Sequence, residues 1–167
     1  MQAAGLATLL FDLLTEPEAA DRARVFDIPL LADRLAMATE WVAIQPETEA
    51  LVIGYFGAST GAAAALVAAA RSERDIAAVV SRGGRPDLAD AELARVRAPT
   101  LLIVGGADDV VLDLNRMALA QLTCEKKLTV VPGATHLFEE PGTLDEVIDL
   151  ARSWFAEHFP AIKEDAK

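Results

Sequence analysis

Short apolar runs alternate along the chain with stretches in which apolar residues recur at helical spacing. Leu6 to Leu14 reads as a first strand, followed by an acidic loop. Asp27 is placed to cap a helix over about Ile28 to Ala43, with Leu30, Leu31, Leu35, Ala36 and Trp41 assigned to its inner face. The turn Gln45-Pro-Glu47 leads to Leu51 to Phe56, an apolar run suited to a strand buried on both faces. The helix after it, running into Ala62-Ala-Ala-Ala-Leu-Val-Ala-Ala-Ala70, is apolar nearly all round, as expected of a helix squeezed between other elements. A third strand, Ile76 to Ser81, ends in Arg82-Gly-Gly-Arg-Pro86. A short helix near Leu88 to Val96 precedes a fourth strand, Thr100 to Val104, closed by Gly105-Gly106. A helix over about Leu112 to Leu122, a fifth strand at Leu128 to Val131 and a last helix from about Leu144 to His158, capped by Thr143, complete the order. Such alternation predicts an α/β fold of three α/β/α layers around a mostly parallel sheet of about five strands. No repeat, low-complexity tract or linker divides it, so residues 1–167 are expected to form a single domain.

Composition narrows the range of partners. Hydrophobic residues make up 53% of the chain and exclude a disordered class, while aromatics at 5% leave alanine, leucine and valine to build the core. A net charge of −11 with no basic patch argues against nucleic acid and anionic membranes as partners. The one cysteine, Cys124, cannot form an internal disulfide; it fits a reducing compartment and a packed thiol. Two histidines and no ligand-spaced cluster leave no metal site or cofactor to expect. The start lacks a basic secretory region and no apolar stretch is long enough to span a bilayer, so a cytoplasmic location is expected.

The chemistry centres on Gly57-Ala-Ser-Thr-Gly61, which joins the second predicted strand to the alanine helix. The pattern Gly-x-Ser-x-Gly at a strand-to-helix turn fits a nucleophile elbow, with Ser59 at its apex. Both glycines are expected to leave space where a side chain would strike the neighbouring strand or helix. The plain alternative is a serine that merely caps the helix. An activated serine needs a base, and the base needs a carboxylate to orient it. Asp108 follows the fourth predicted strand in a Gly-x-x-Asp-x-x-Val pattern, and His136 follows the fifth. All three would emerge at the carboxyl ends of parallel strands, where ligands bind in open α/β sheets. Asp108, like Asp109, is otherwise a turn or cap residue, and His136 a surface histidine. His158, late in the last helix, is the weaker base candidate because a cation there suits the helix dipole. Trp41 and Trp154 sit at helical apolar spacing and are read as core.

The segments Gly54 to Ala63, Val80 to Pro86, Leu101 to Asp108 and Pro132 to Pro141 together resemble the α/β-hydrolase superfamily, in its dienelactone-hydrolase-like branch. The resemblance covers nearly the whole chain. It implies a Ser59 nucleophile, a His136 base, an Asp108 orienter and the Thr60 N–H as one oxyanion donor. The dienelactone hydrolases themselves use cysteine where this chain has Ser59, which favours general hydrolysis of small carboxylic esters. Without a lid insertion, short acyl esters are favoured over lipids. The resemblance also implies an N-terminally reduced fold, with Gly5 to Asp12 in the place of the family's fourth strand. The missing third strand would lie between it and the elbow strand and would supply the second oxyanion donor. Leu14 or Thr15 is a candidate replacement. Open sheet edges predict a homodimer or higher oligomer. The rival reading is a catalytically weak or inert module of the same fold that serves association.

Overall fold

The computed structural model describes residues 2 and 5–160. Two single-turn helices, α1 (Glu16–Ala19) and α2 (Arg22–Val25), precede the longer α3 (Ile28–Val42). Then β1 (Ile53–Ala58), α4 (Thr60–Arg71), β2 (Ile76–Arg82), a 3-10 segment (Pro86–Arg95), β3 (Thr100–Gly105), α5 (Asp109–Gln121), β4 (Lys126–Val131) and α6 (Thr143–His158) alternate. The four strands form one parallel sheet in the order β1-β2-β3-β4. Helices α3, α4 and α5 cover one face with the 3-10 segment. The other face is covered by α6 through Val147, Ala151, Trp154 and Phe155.

The alanine helix packs as its sequence demands. Every residue from Ala62 to Ala70 is buried, with α3 on one side and the sheet on the other. Small side chains let three layers approach closely where leucines would hold them apart. β2 and β3 are buried almost throughout and form the centre of the core.

Four expectations are corrected. Leu6 to Leu14 forms no strand and bends at Leu13 and Leu14, so among the described residues the sheet has four strands where about five were expected. Its backbone makes no ladder with β1, and Leu9 and Leu10 stay exposed. The elbow strand is consequently an edge strand, not one buried on both faces: Leu51, Val52 and Phe56 are exposed and Tyr55 is buried. On α3 the buried stripe is Ile28, Leu31, Ala32 and Thr39, so Trp41, two residues beyond Thr39, is rotated about 200° away and is 57% exposed. Thr143 is the first residue of α6 rather than its cap; Gly142, with φ 81°, holds that place. Trp154 is core as expected, donating its indole N–H to the Pro99 carbonyl at 3.3 Å. Cys124 is half-buried against the core, and burial pushes its thiol pKa up.

Candidate active site

β1 ends at Ala58 and α4 begins at Thr60, so one residue makes the whole turn. That residue is Ser59, at φ 49° and ψ −124°. A non-glycine side chain at positive φ costs conformational energy and persists only where the surroundings impose it. The imposition comes from Gly57, where a Cβ would lie 2.6 Å from the Gly61 carbonyl carbon and 2.7 Å from Ala62 Cα. The strand can therefore run directly under the first turn of α4. Gly61 does not share this duty: a Cβ there would meet nothing within 4 Å. The second glycine of the motif has open space where a side chain would stand, so the expected collision has no partner.

Ser59 makes no cap bond with its side chain, which rules out the plain capping role. Thr60 supplies the first N–H of α4, one of the donors a helix cannot use internally. The positive end of the helix dipole adds to it at the same point.

His136 lies in the loop after β4, and its Nδ1 is 2.7 Å from Asp108 Oδ2. Asp108 follows β3 and stands at the N-terminus of α5 without capping it through its side chain. Its carboxylate is 16% exposed and the imidazole 40%, so the pair has a sheltered end and an open end. Engaging Nδ1 leaves Nε2 as the imidazole atom available to another group. The loop itself is fastened by Glu140, which accepts from the Thr135 N–H at 3.1 Å; the Thr135 hydroxyl first, and then that N–H, hold its carboxyl below the usual carboxylate range.

A strap of three residues, Gly83 to Arg85, joins the serine side to the histidine side. A Cβ on Gly83 would lie 3.0 Å from the His136 carbonyl oxygen and 3.8 Å from its Cε1, while the Arg85 N–H donates to the Ser59 carbonyl at 3.0 Å. Asn115, fully buried on α5, grips the strap through Nδ2 to the Gly84 carbonyl at 3.0 Å. Helix α5 thus presents Asp108 at its start and Asn115 two turns on. Sequence reading missed Asn115; its signal was a buried-face polar residue in an otherwise apolar stripe. It also passed over Arg82, the register partner of Ala58, whose guanidinium rests 5.5 Å from the centre of the Phe138 ring.

The other sequence candidates lie apart. His158 packs on Trp154 and bonds its carbonyl at 2.8 Å, far along α6. Asp109 is exposed at the start of α5. Thr15 caps α1 in a reciprocal arrangement with Glu18, so its N–H, bonded to the Glu18 carboxylate at 2.9 Å, is not free for an oxyanion. A cleft of about 520 Å³ between α3 and the end of α4 includes Tyr55, Thr39 and Arg74 but none of Ser59, Asp108 and His136. Its cations are paired, Arg74 with Glu40 and Arg71 with Glu92. Among the described residues no group of acidic, histidine or cysteine side chains is arranged to hold a metal ion, and no helix is long and apolar enough to cross a membrane.

Known proteins of this shape are close at hand. A dienelactone hydrolase structure from Anabaena variabilis superposes with a TM-score of 0.90 at 56% identity, over 95% of this chain and 76% of that one. A lidless serine hydrolase from Xanthomonas campestris matches at 26% identity and a TM-score of 0.63, over 79% of this chain and 58% of that one. A Mycobacterium tuberculosis protein named as a candidate phosphoribosyl transferase is 64% identical over 155 residues, which are 93% of this chain. The chain spans 35% of the length of that relative. The profile of the dienelactone hydrolase family matches residues 18–157. With fold, elbow and matched segment in agreement, this chain belongs to the dienelactone hydrolase family.

Proposed function

We propose that the chain is a serine hydrolase of small carboxylic esters, working through an acyl-enzyme. Ser59 Oγ attacks the ester carbonyl as its proton passes to His136 Nε2. The tetrahedral oxyanion takes the Thr60 N–H. As the carbon–oxygen bond to the alcohol breaks, the imidazolium returns the proton to the departing oxygen. Water then repeats the sequence on the acyl-serine and releases the acid. Asp108 holds Nδ1 protonated, so that Nε2 is the basic nitrogen. The observation that best supports this reading is the 2.7 Å bond between Asp108 and His136, together with a serine held at φ 49° where β1 turns into α4.

The dienelactone hydrolase and serine hydrolase names of the structural relatives agree with it. The transferase name belongs to a protein of which 35% is matched and is not carried over. The second reading, a weak or inert hydrolase-fold module, draws on the edge position of β1, which among the described residues has no further strand beside it to carry a second oxyanion donor. Loss of one such donor typically lowers turnover by ~10²–10³.

Two measurements decide between them. A fluorophosphonate should label Ser59, and Ser59→Ala should hydrolyse p-nitrophenyl acetate ~10³-fold or more slowly than the wild type. Equal rates for the two proteins, or no labelling at concentrations that modify ordinary serine esterases, would sink the triad and leave the module.

A further inference from the structure

A trans peptide group carries its carbonyl on one side and its N–H on the other, pointing in opposite directions. Hydrogen bonds made head to tail through successive peptides therefore run on in one direction and polarise one another. Among the described residues no peptide is cis, and one such line leads to the elbow. Asn115 Nδ2 donates to the Gly84 carbonyl at 3.0 Å. The same peptide bears the Arg85 N–H, which donates to the Ser59 carbonyl at 3.0 Å. That carbonyl shares its peptide with the Thr60 N–H, the donor assigned to the oxyanion.

The chemistry of Asn115 fits the head of this line. Two carbonyls face its amide, Gly84 at 3.0 Å and Val111 at 2.8 Å, so the NH2 spends both hydrogens. Its Oδ1 is buried and meets no protein donor. An unpaired buried acceptor lowers stability, and a leucine of similar size would avoid it. The amide is thus kept for what it donates, and of its two acceptors only Gly84 leads to the elbow.

The strap has little freedom to take up slack. A Cβ on Gly84 would overlap Ser81 Oγ and lie 2.5 Å from Ala62 Cβ, so this peptide is pressed between β2 and the first turn of α4. The peptide it holds is one that needs holding. Ser59 sits at φ 49°, a conformation that only its surroundings maintain. Its carbonyl takes the Ala62 N–H at 3.2 Å from within the helix turn, and the Arg85 N–H from outside it.

We infer that Asn115 is a positioning residue for the oxyanion donor, aligning the Thr60 N–H through the two intervening peptides; the inference rests on the role proposed above for Thr60. A whole oxyanion donor is worth ~10²–10³ in turnover. A side chain that only aligns one should account for part of that, about 10-fold.

Asn115→Leu in the full chain tests this by NMR and by kinetics. An amide nitrogen resonance responds to the bond on the carbonyl of its own peptide, so the Arg85 and Thr60 resonances should move while those late in α4 stay. With p-nitrophenyl acetate, kcat per site labelled to completion by a fluorophosphonate should fall about 10-fold at unchanged KM, as for an interaction made only in the transition state. Counting labelled sites removes the effect of a merely weakened fold. An unmoved Thr60 resonance, or an unchanged kcat per site, would overturn the proposal. If the wild type neither labels nor turns over, it is the ester-hydrolase reading that fails, and the Thr60 resonance alone decides whether Asn115 aligns that N–H. Should the variant not fold, through-hydrogen-bond couplings in the wild type decide, from Asn115 Nδ2 to the Gly84 carbonyl carbon and from the Arg85 nitrogen to that of Ser59. Both present would support the line, and either one missing would break it.

Discussion

At the scale of single residues, the elbow separates two glycines that a motif treats alike. Gly57 is required because backbone of Gly61 and Ala62 occupies the space of any Cβ. Gly57→Ala should therefore destabilise by at least the ~1–3 kcal/mol of an overpacked core, since backbone cannot swing aside as a side chain can. Gly61 sits in the first turn of α4 with open space around it. Gly61→Ala should instead stabilise by ~0.4–1 kcal/mol, by restricting the unfolded chain. Urea denaturation of the two variants checks both signs, and a loss for Gly61→Ala would mean that the space around it is filled in solution. The placement of Ser59, Asp108 and His136 after β1, β3 and β4 was legible in the sequence, because strand ends are marked by apolar runs followed by glycine or polar residues. Asn115 was not legible, because its role depends on the path of a strap thirty residues earlier in the chain.

Among elements, the strands of the centre were read within a residue or two, since burial on both faces leaves an unbroken apolar run. The β1 side of the sheet was misread for the same reason, while β4 at the other edge was read to within two residues. Leu6 to Leu14 has the composition of a buried strand but no neighbour to pair with, and composition does not report neighbours. The short helix near Leu88 was likewise smoother in sequence than in space: Asp90, at φ 47° and ψ −129°, breaks it into two 3-10 turns.

What fixes the N-terminal elements is electrostatic. Arg34 on α3 makes two bonds of 2.7 Å to the Glu18 carboxylate and one of 2.7 Å to the Leu13 carbonyl. The arginine, then the Thr15 N–H, hold the Glu18 carboxyl far below the usual range. A pKa lowered by folding gives stabilisation that is complete above the unfolded value of about 4.3 and is lost only as pH falls through the folded value. The tie between α1 and α3 should thus survive acid that protonates ordinary carboxylates. Arg34→Ala should return the Glu18 titration, followed by carboxyl NMR, toward the ordinary range. A Glu18 that titrates unchanged in that variant would assign the shift to Thr15 instead.

For the molecule as a whole, the two faces of the sheet are unequally provided. Three helices and a 3-10 segment interlock on one face, whereas the sixteen residues of α6 serve the other. Trp154→Ala, which removes a nearly buried anchor of that helix, should cost ~3–5 kcal/mol in denaturant. A cost below about 1 kcal/mol would show that α6 is held by its remaining contacts.

The lone helix also bears on how the protein comes apart. On the crowded face, α3 can loosen while α4 still shields β1 and β2 from water. Among the described residues no second helix lies beneath α6, only the loop after β4 through Ala134 and Phe138 and the Leu6 side chain, so its departure would wet much of Ala78, Val80, Leu101 and Ile103 together. Those residues belong to the two central strands, so detachment and global unfolding become one event. A helix at the end of a chain usually frays first; this one is expected to be among the last to exchange its amides, and so to act as the latch of the entire domain.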